Sequence, residues 1–315
     1  MAKIPSDEEL IQMMSDLSNW GRWGEGDQLG CLNLITPDKI IAATKLVTDG
    51  HTVSCARPIT TDPAADVTYQ VQRFMVDSGE GRATDTVERQ INRKGAAEFI
   101  GMVFHGQTIT HIDALSHYSW RGLMYNGVPA DLVTSKEGAL SHSIEPTGDG
   151  IVSKGVLLDI AKLKNKPWLE ADEAVYPQDL EDAERLQGVK VTEGDILLIH
   201  TGNYERRIKE GAVDSGQPMT ACQAACAPWF KERGISMLGT DTSNDIRPTH
   251  YPDVTTSPMH ILCLVTLGLW LIDNCNLQDL SRECDTRSKY EFMLTLGPLK
   301  LNKVTGSPVN PIAIF

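Results

Sequence analysis

The sequence carries no Cys-x-x-Cys pair, no Gly-x-Ser-x-Gly elbow, no membrane-length apolar run and no surplus of basic charge. Each absence removes a class of protein. Seven scattered cysteines, without the close pairing of a zinc ribbon or a redox dithiol, are expected to be free thiols in a reducing compartment. Without the nucleophile elbow, one signature of serine hydrolases is missing. The longest apolar stretch, residues 261–272, is broken by Thr266 and Gly268 and falls short of the ~18 residues of a membrane span, so it reads as a buried element. Lys and Arg number 29 against 42 Asp and Glu, and the net charge of −13 has the wrong sign for nucleic acid or an anionic bilayer. The first nine residues hold no apolar signal core and turn acidic at once, so a cytoplasmic location is expected.

What is present suits a folded α/β chain. With 315 residues, 41% of them hydrophobic and 23% charged, it can bury a large core. Ser6 opens a helix over residues 7–17, and Thr36-Pro37 opens another over residues 39–48, closed by Gly50. Between them, residues 20–30 gather Trp20, Trp23 and four glycines into one loop, either a flap on the core or a wall for a planar ligand. Strands are expected over residues 52–58, 67–76 and 99–104. Residues 155–160 and 195–201 are near-continuous apolar runs of the kind that fully buried strands show. Helices over 177–187 and 219–233, a strand over 235–238 and an apolar helix over 258–267 complete the pattern. The expectation is a single domain over residues 1–315, an α/β fold with a β-rich core and flanking helices, preceded by a helical and loop extension over residues 1–50.

The most informative stretch is Thr110-His111-Ile112-Asp113-Ala114-Leu115-Ser116-His117. In extended backbone alternate side chains share a face, so His111 and Asp113 point the same way. An imidazole nitrogen beside a carboxylate oxygen suits Zn²⁺ or Mn²⁺. His117, four residues beyond Asp113, is a further ligand or a general acid/base. A purely structural reading of the same run is a set of hydrogen-bonded core histidines and an aspartate that fixes a loop. Three later segments are candidates to converge on one pocket: His200 and its neighbours at the end of a buried strand, residues 239–245 closing the next, and Pro258-Met259-His260 leading on to Asp273. Trp20, Trp23, Phe74 and Tyr125 are candidates to enclose a flat ring.

Together these segments resemble the metal-dependent cyclase family, which includes bacterial kynurenine formamidases, isatin hydrolases and trans-dienelactone hydrolases. The resemblance runs from Trp23, Asp27, Gly30 and Leu32-Asn33-Leu34 through Tyr125-Asn126-Gly127, residues 155–159, Gly194-Asp195, Thr201-Gly202 and Gly239-Thr240-Asp241 to Pro258-Met259-His260. It implies a core of the swivelling β/β/α type, assembled as a homodimer or homotetramer; in this chain the tryptophan loop is the candidate segment for exchange between subunits. By this likeness Gln107, His111 and Asp113 hold the metal and His117 is the acid/base group, with Asn126 joining the aromatic residues at the substrate. The family motif has a histidine at position 107, and the glutamine here is the weaker donor, which favours Mn²⁺ or a more weakly held Zn²⁺. His105 is an alternative ligand. A second metal would use His260 and Asp273. Because Asp273 is shorter than the family's glutamate, one metal per subunit is expected, with His260 as substrate binder or proton relay.

The chemistry so implied is the opening of a small cyclic amide or lactone by metal-activated water. An acyclic formamide of the N-formylkynurenine kind is the alternative substrate. A metal-assisted isomerase or lyase and a non-catalytic metal-binding protein are the alternative functions.

Overall fold

The two apolar runs read as buried strands lie side by side in the structure, a computed structural model that describes residues 3–84, 86, 95–214 and 216–315. In chain order the strands are β1 (Thr52–Ser54), β2 (Gln72–Asp77), β3 (Ala97–Gly101), β4 (His111–Asp113), β5 (Val133–Thr134), β6 (Gly138–Ala139) and β7 (Ile151–Asp159). They continue as β8 (Ile196–His200), β9 (Met237–Thr240), β10 (Trp270–Asp273), β11 (Glu291–Leu296), β12 (Gly306–Pro308) and β13 (Ile312–Ile314). Nine of these described strands form one mixed sheet in the order β1-β13-β11-β7-β8-β9-β10-β4-β12.

Strands β7 to β10 run parallel, the arrangement that covers both faces of a sheet. Accordingly Leu157, Leu158, Leu197, Leu198 and Ile199 are wholly buried. Antiparallel strands extend the block on both sides: β11, β13 and β1 beyond β7, and β4 and β12 beyond β10. By contrast, β2 and β3 pair only with each other and are exposed along nearly their whole length, with Phe74 stacked on Phe99.

The first two helices open at the caps that the sequence marks. Ser6 and Glu9 form a reciprocal capping box at the helix Asp7–Asp16, and the Lys39 N–H donates to Thr36 Oγ1 at 3.2 Å at the start of Pro37–Thr44. The expected helix over 219–233 is shorter, Ala227–Arg233. Met219 is engaged in a backbone bridge with Arg247 and Cys222 in one with Val175, so the chain stays extended to Gln223, and a 3-10 turn at Ala224–Cys226 leads into the helix, with Pro228 in its first turn. Leu10, Met14, Cys31 and Leu32 from the first fifty residues join the main core. All seven cysteines are free and buried. No helix of the described residues is long and apolar enough to cross a membrane.

His200, expected to join the histidine cluster, does not. It ends β8 beside Asp159 at the end of β7, with Nδ1 3.1 Å from Asp159 Oδ1 and Nε2 3.9 Å from Asp241 Oδ2. Burial works against a charged imidazole there, but Asp159 and then Asp241 outweigh it and lift His200 to about 9. A raised folded-state pKa stabilises the fold fully below the unfolded value of about 6.5, and the contribution is lost as pH rises through about 9. The melting temperature should therefore fall between those limits, and His200→Gln should flatten the fall. Parallel pH profiles for the two proteins would contradict this role.

Candidate metal centre

Strand β4 is three residues long and is paired on both sides, by β10 and β12. Ile112 turns into the core, where burying such a side chain contributes about 1.5–3 kcal/mol. That burial fixes the register and leaves His111 and Asp113 together on the opposite face. The approach to the strand is clamped: Thr110 Oγ1 donates to the Asn274 C=O at 2.7 Å and accepts from the Arg57 N–H at 2.9 Å. Asn274 Nδ2 donates to the Gly106 C=O at 2.7 Å, and Arg57 Nη1 donates to the Gln107 C=O at 2.8 Å. The bend so held brings His105 back against Asp113. Gly306 makes the room: a Cβ there would lie 2.4 Å from the Ile112 oxygen and 3.0 Å from the His105 ring.

Asp113 is fully buried, and four imidazoles face it. His105 Nδ1 lies 3.0 Å, His111 Nε2 3.3 Å and His117 Nε2 3.9 Å from Oδ1, while His260 Nε2 lies 3.5 Å from Oδ2. Neither carboxylate oxygen has a hydrogen-bond partner of ordinary geometry, and His105 Nδ1 has none either. Buried polar atoms left in that state are costly unless something else satisfies them. A divalent cation fits: ligand atoms of His105, His111 and Asp113 all lie within 4.8 Å of one another, as do those of Asp113, His117 and His260.

The far sides of three of these rings, those of His105, His111 and His260, are held as metal-binding imidazoles require. His111 Nδ1 is 2.8 Å from the Ile109 C=O, His105 Nε2 is 3.0 Å from Thr305 Oγ1, and His260 Nδ1 is 2.5 Å from Asp245 Oδ2. Asp245 also accepts from the Met259 N–H at 2.7 Å, so one carboxylate holds both the helix start and the His260 ring. Sequence reasoning places Asp245 in the segment 239–245 expected near the pocket, but not on His260, since a fifteen-residue distance follows no period.

Burial would raise the Asp113 pKa, but His117 and His111, then His105, hold the carboxyl well below its usual range. Burial also brings His117 down to about 4, aided by His105, His260 and His111 and opposed by Asp113, so its ring is neutral at pH 7. At His260 burial opposes the charge, but Asp245, with Asp113 and Asp273, reverses that and raises it well above its usual value.

The centre opens on a cavity of about 470 Å³ lined by Gln107, His111, His117, His260 and Asp273 among others. Gln107 thus reaches the cavity, but the ring around Asp113 includes His105 two residues earlier. Asp273 Oδ1 accepts from Asn244 Nδ2 at 2.5 Å, and its Oδ2 lies 3.7 Å from His260 Nε2.

None of the side chains expected at a flat substrate lines this cavity. Trp20 donates from Nε1 to the Val265 C=O at 2.7 Å, and Trp23 packs on the core under Arg22. Tyr125 is buried with its hydroxyl 3.2 Å from Asp27 Oδ2. Asn126 ties down the tryptophan loop, accepting from the Gly21 N–H at 2.7 Å and donating to the Gly24 C=O at 2.9 Å. Phe74 sits on the exposed hairpin.

The Cyclase family model matches residues 45–244. A crystal structure described as a novel cyclase is 31% identical, covering 95% of this chain and 99% of its own, with a TM-score of 0.84. Isatin hydrolase A from Labrenzia aggregata, bound to benzyl benzoate, is 18% identical over 88% of this chain and 99% of its own, with a TM-score of 0.61. A protein from Bacillus stearothermophilus described as a predicted metal-dependent hydrolase is 18% identical over 84% and 98%, with a TM-score of 0.53. No curated protein matches the chain in sequence.

If His105 is a ligand, His105→Ala should weaken Mn²⁺ binding by at least ~10-fold, and by more than Gln107→Ala. Calorimetry on chelator-stripped protein reads both. The reverse order would put Gln107 in the coordination shell and His105 outside it.

Proposed function

The chain belongs to the cyclase family, and from that premise we propose that it is a metal-dependent hydrolase that opens a small cyclic amide or lactone. The observation that carries the proposal is the buried Asp113 carboxylate, its oxygens without ordinary hydrogen bonds, ringed by four imidazoles beside a cavity. Mn²⁺ or Zn²⁺, one per subunit and held by His105, His111 and Asp113, would supply Lewis acidity and a water of lowered pKa.

The chain's own part is proton handling and orientation. His117 is neutral, lines the cavity and stacks on His105 at 3.7 Å with 4° between the rings. It can take a proton from the attacking water and give it to the departing ring nitrogen or oxygen, completing the opening to an acid. His260, held at Nδ1 by Asp245, presents Nε2 towards Asp113 and serves as a second proton donor. Tyr118, whose hydroxyl donates to Ser257 Oγ at 3.0 Å, packs its ring 4.5 Å from His260 and walls that side.

We read the assembly as a homodimer or homotetramer. The tryptophan loop is an unsuitable exchange segment, because Asn126 and the Val265 C=O tie it to its own chain. The β2–β3 hairpin is better suited, since Phe74, Met75, Val76, Phe99 and Ile100 are all exposed on it.

Stripping the protein with chelator and restoring Mn²⁺ or Zn²⁺ should restore ring opening of a lactone or cyclic amide. His117→Ala should lower kcat by about 10²–10⁴ while still binding metal. Full activity in that variant would remove the acid/base role. A light-scattering mass of one chain for the active species would remove the oligomer.

A further inference from the structure

The cavity carries further chemistry beside the histidines. Ser243, Arg247, Thr249, Thr256 and Ser257 line it, four hydroxyls and a guanidinium, and Pro248 adds a small apolar area. Among the described residues lining the cavity, Arg247 brings the one permanent positive charge.

The guanidinium is a positioned group. The Arg247 N–H donates to the Met219 C=O at 3.0 Å and its C=O accepts from the Met219 N–H at 2.9 Å, which locks the backbone. Nη2 donates to Ser243 Oγ at 2.8 Å and rests 3.4 Å from Met219 Sδ. Burial weakens its hold on the proton, against the pull of Asp245 and Asp273, yet an arginine stays charged at any working pH. A half-buried fork of N–H donors beside hydroxyls recognises a carboxylate, through charge-assisted hydrogen bonds that a neutral amide cannot match. Meanwhile, the aromatic side chains expected to sandwich a flat ring pack elsewhere.

We propose that Arg247 is a specificity-determining residue that binds a substrate carboxylate, so that the substrate is a small lactone or cyclic amide carrying a free acid. This rests on the hydrolase reading of the same cavity, but its test does not need turnover.

Succinate and its half-amide succinamate, titrated calorimetrically into Mn²⁺-loaded protein, differ by one charge. Wild type should prefer succinate by about ten-fold or more. Arg247→Gln should abolish the preference, Arg247→Lys should keep part of it, and Ser243→Ala, which frees the guanidinium's anchor, should reduce it by a smaller factor. Melting curves confirm that each variant is folded. Equal affinities in wild type, or a preference that survives Arg247→Gln, overturn the proposal. The hydrolase reading is judged separately, by comparing a butyrolactone carboxylate with its carboxamide. Arg247-dependent succinate binding without ring opening keeps the anion site and removes the hydrolase. Equal kcat/KM on both lactones, in wild type and Arg247→Gln alike, keeps the hydrolase and removes the anion site.

Discussion

The site depends on one buried carboxylate. Asp113 has lost its water, and its two oxygens face four imidazole nitrogens at 3.0 to 3.9 Å without an ordinary hydrogen bond to any of them. Burying an ionised carboxylate is expensive unless positive charge lies close by. The surrounding rings supply it in part when they are protonated. A divalent cation does so more completely, because it uses the carboxylate oxygen and the imidazole lone pairs together. Burial, aided by the neighbouring imidazoles and against the pull of Asp113, leaves His117 neutral, and a neutral imidazole is what a proton acceptor requires.

The fold exists, locally, to hold that carboxylate still. A three-residue strand would be a weak support on a sheet edge, but β4 is bonded on both sides and anchored by Ile112 in the core. Asn274, directly after β10, and Arg57, after β1, then bind the carbonyls of Gly106, Gln107 and Ile109. The helix start at Pro258–His260 adds His260 from another direction, with Asp245 fixing both its backbone and its ring. The following turns, Ile261–Leu267, are a wider π-type helix that is buried throughout, so His260 stands on a rigid support.

Some of this was legible in the sequence, for reasons that can be named. Strand alternation put His111 and Asp113 on one face, and the apolar runs marked β7 and β8 because parallel strands bury both faces. The matching of the Cyclase family and the α/β sheet agrees with the resemblance drawn from the motifs. The rest depends on tertiary packing. The sequence leaves His105 open as an alternative ligand on a regular strand, but it reaches Asp113 because residues 105–109 bend and Gly306 leaves space, which no period-two pattern contains. His200 ends a buried strand much as expected, but its neighbour there is Asp159 on β7, and strand order cannot be read from spacing. Tryptophan and glycine together leave a core flap and a ligand wall both open, and Trp23 on the core with Asn126 bonded to the loop favours the flap. Ser243 lies in the segment 239–245 expected at the pocket, whereas Arg247 carries no pattern, its backbone being held by a bridge to Met219.

The most direct test of the account is the position of manganese in crystals of the loaded protein, read from its anomalous scattering. The account predicts one peak per subunit, bound by Asp113, His111 and His105, with the Gln107 side chain outside the coordination shell. A peak remote from Asp113, or none at full occupancy of added metal, would contradict it.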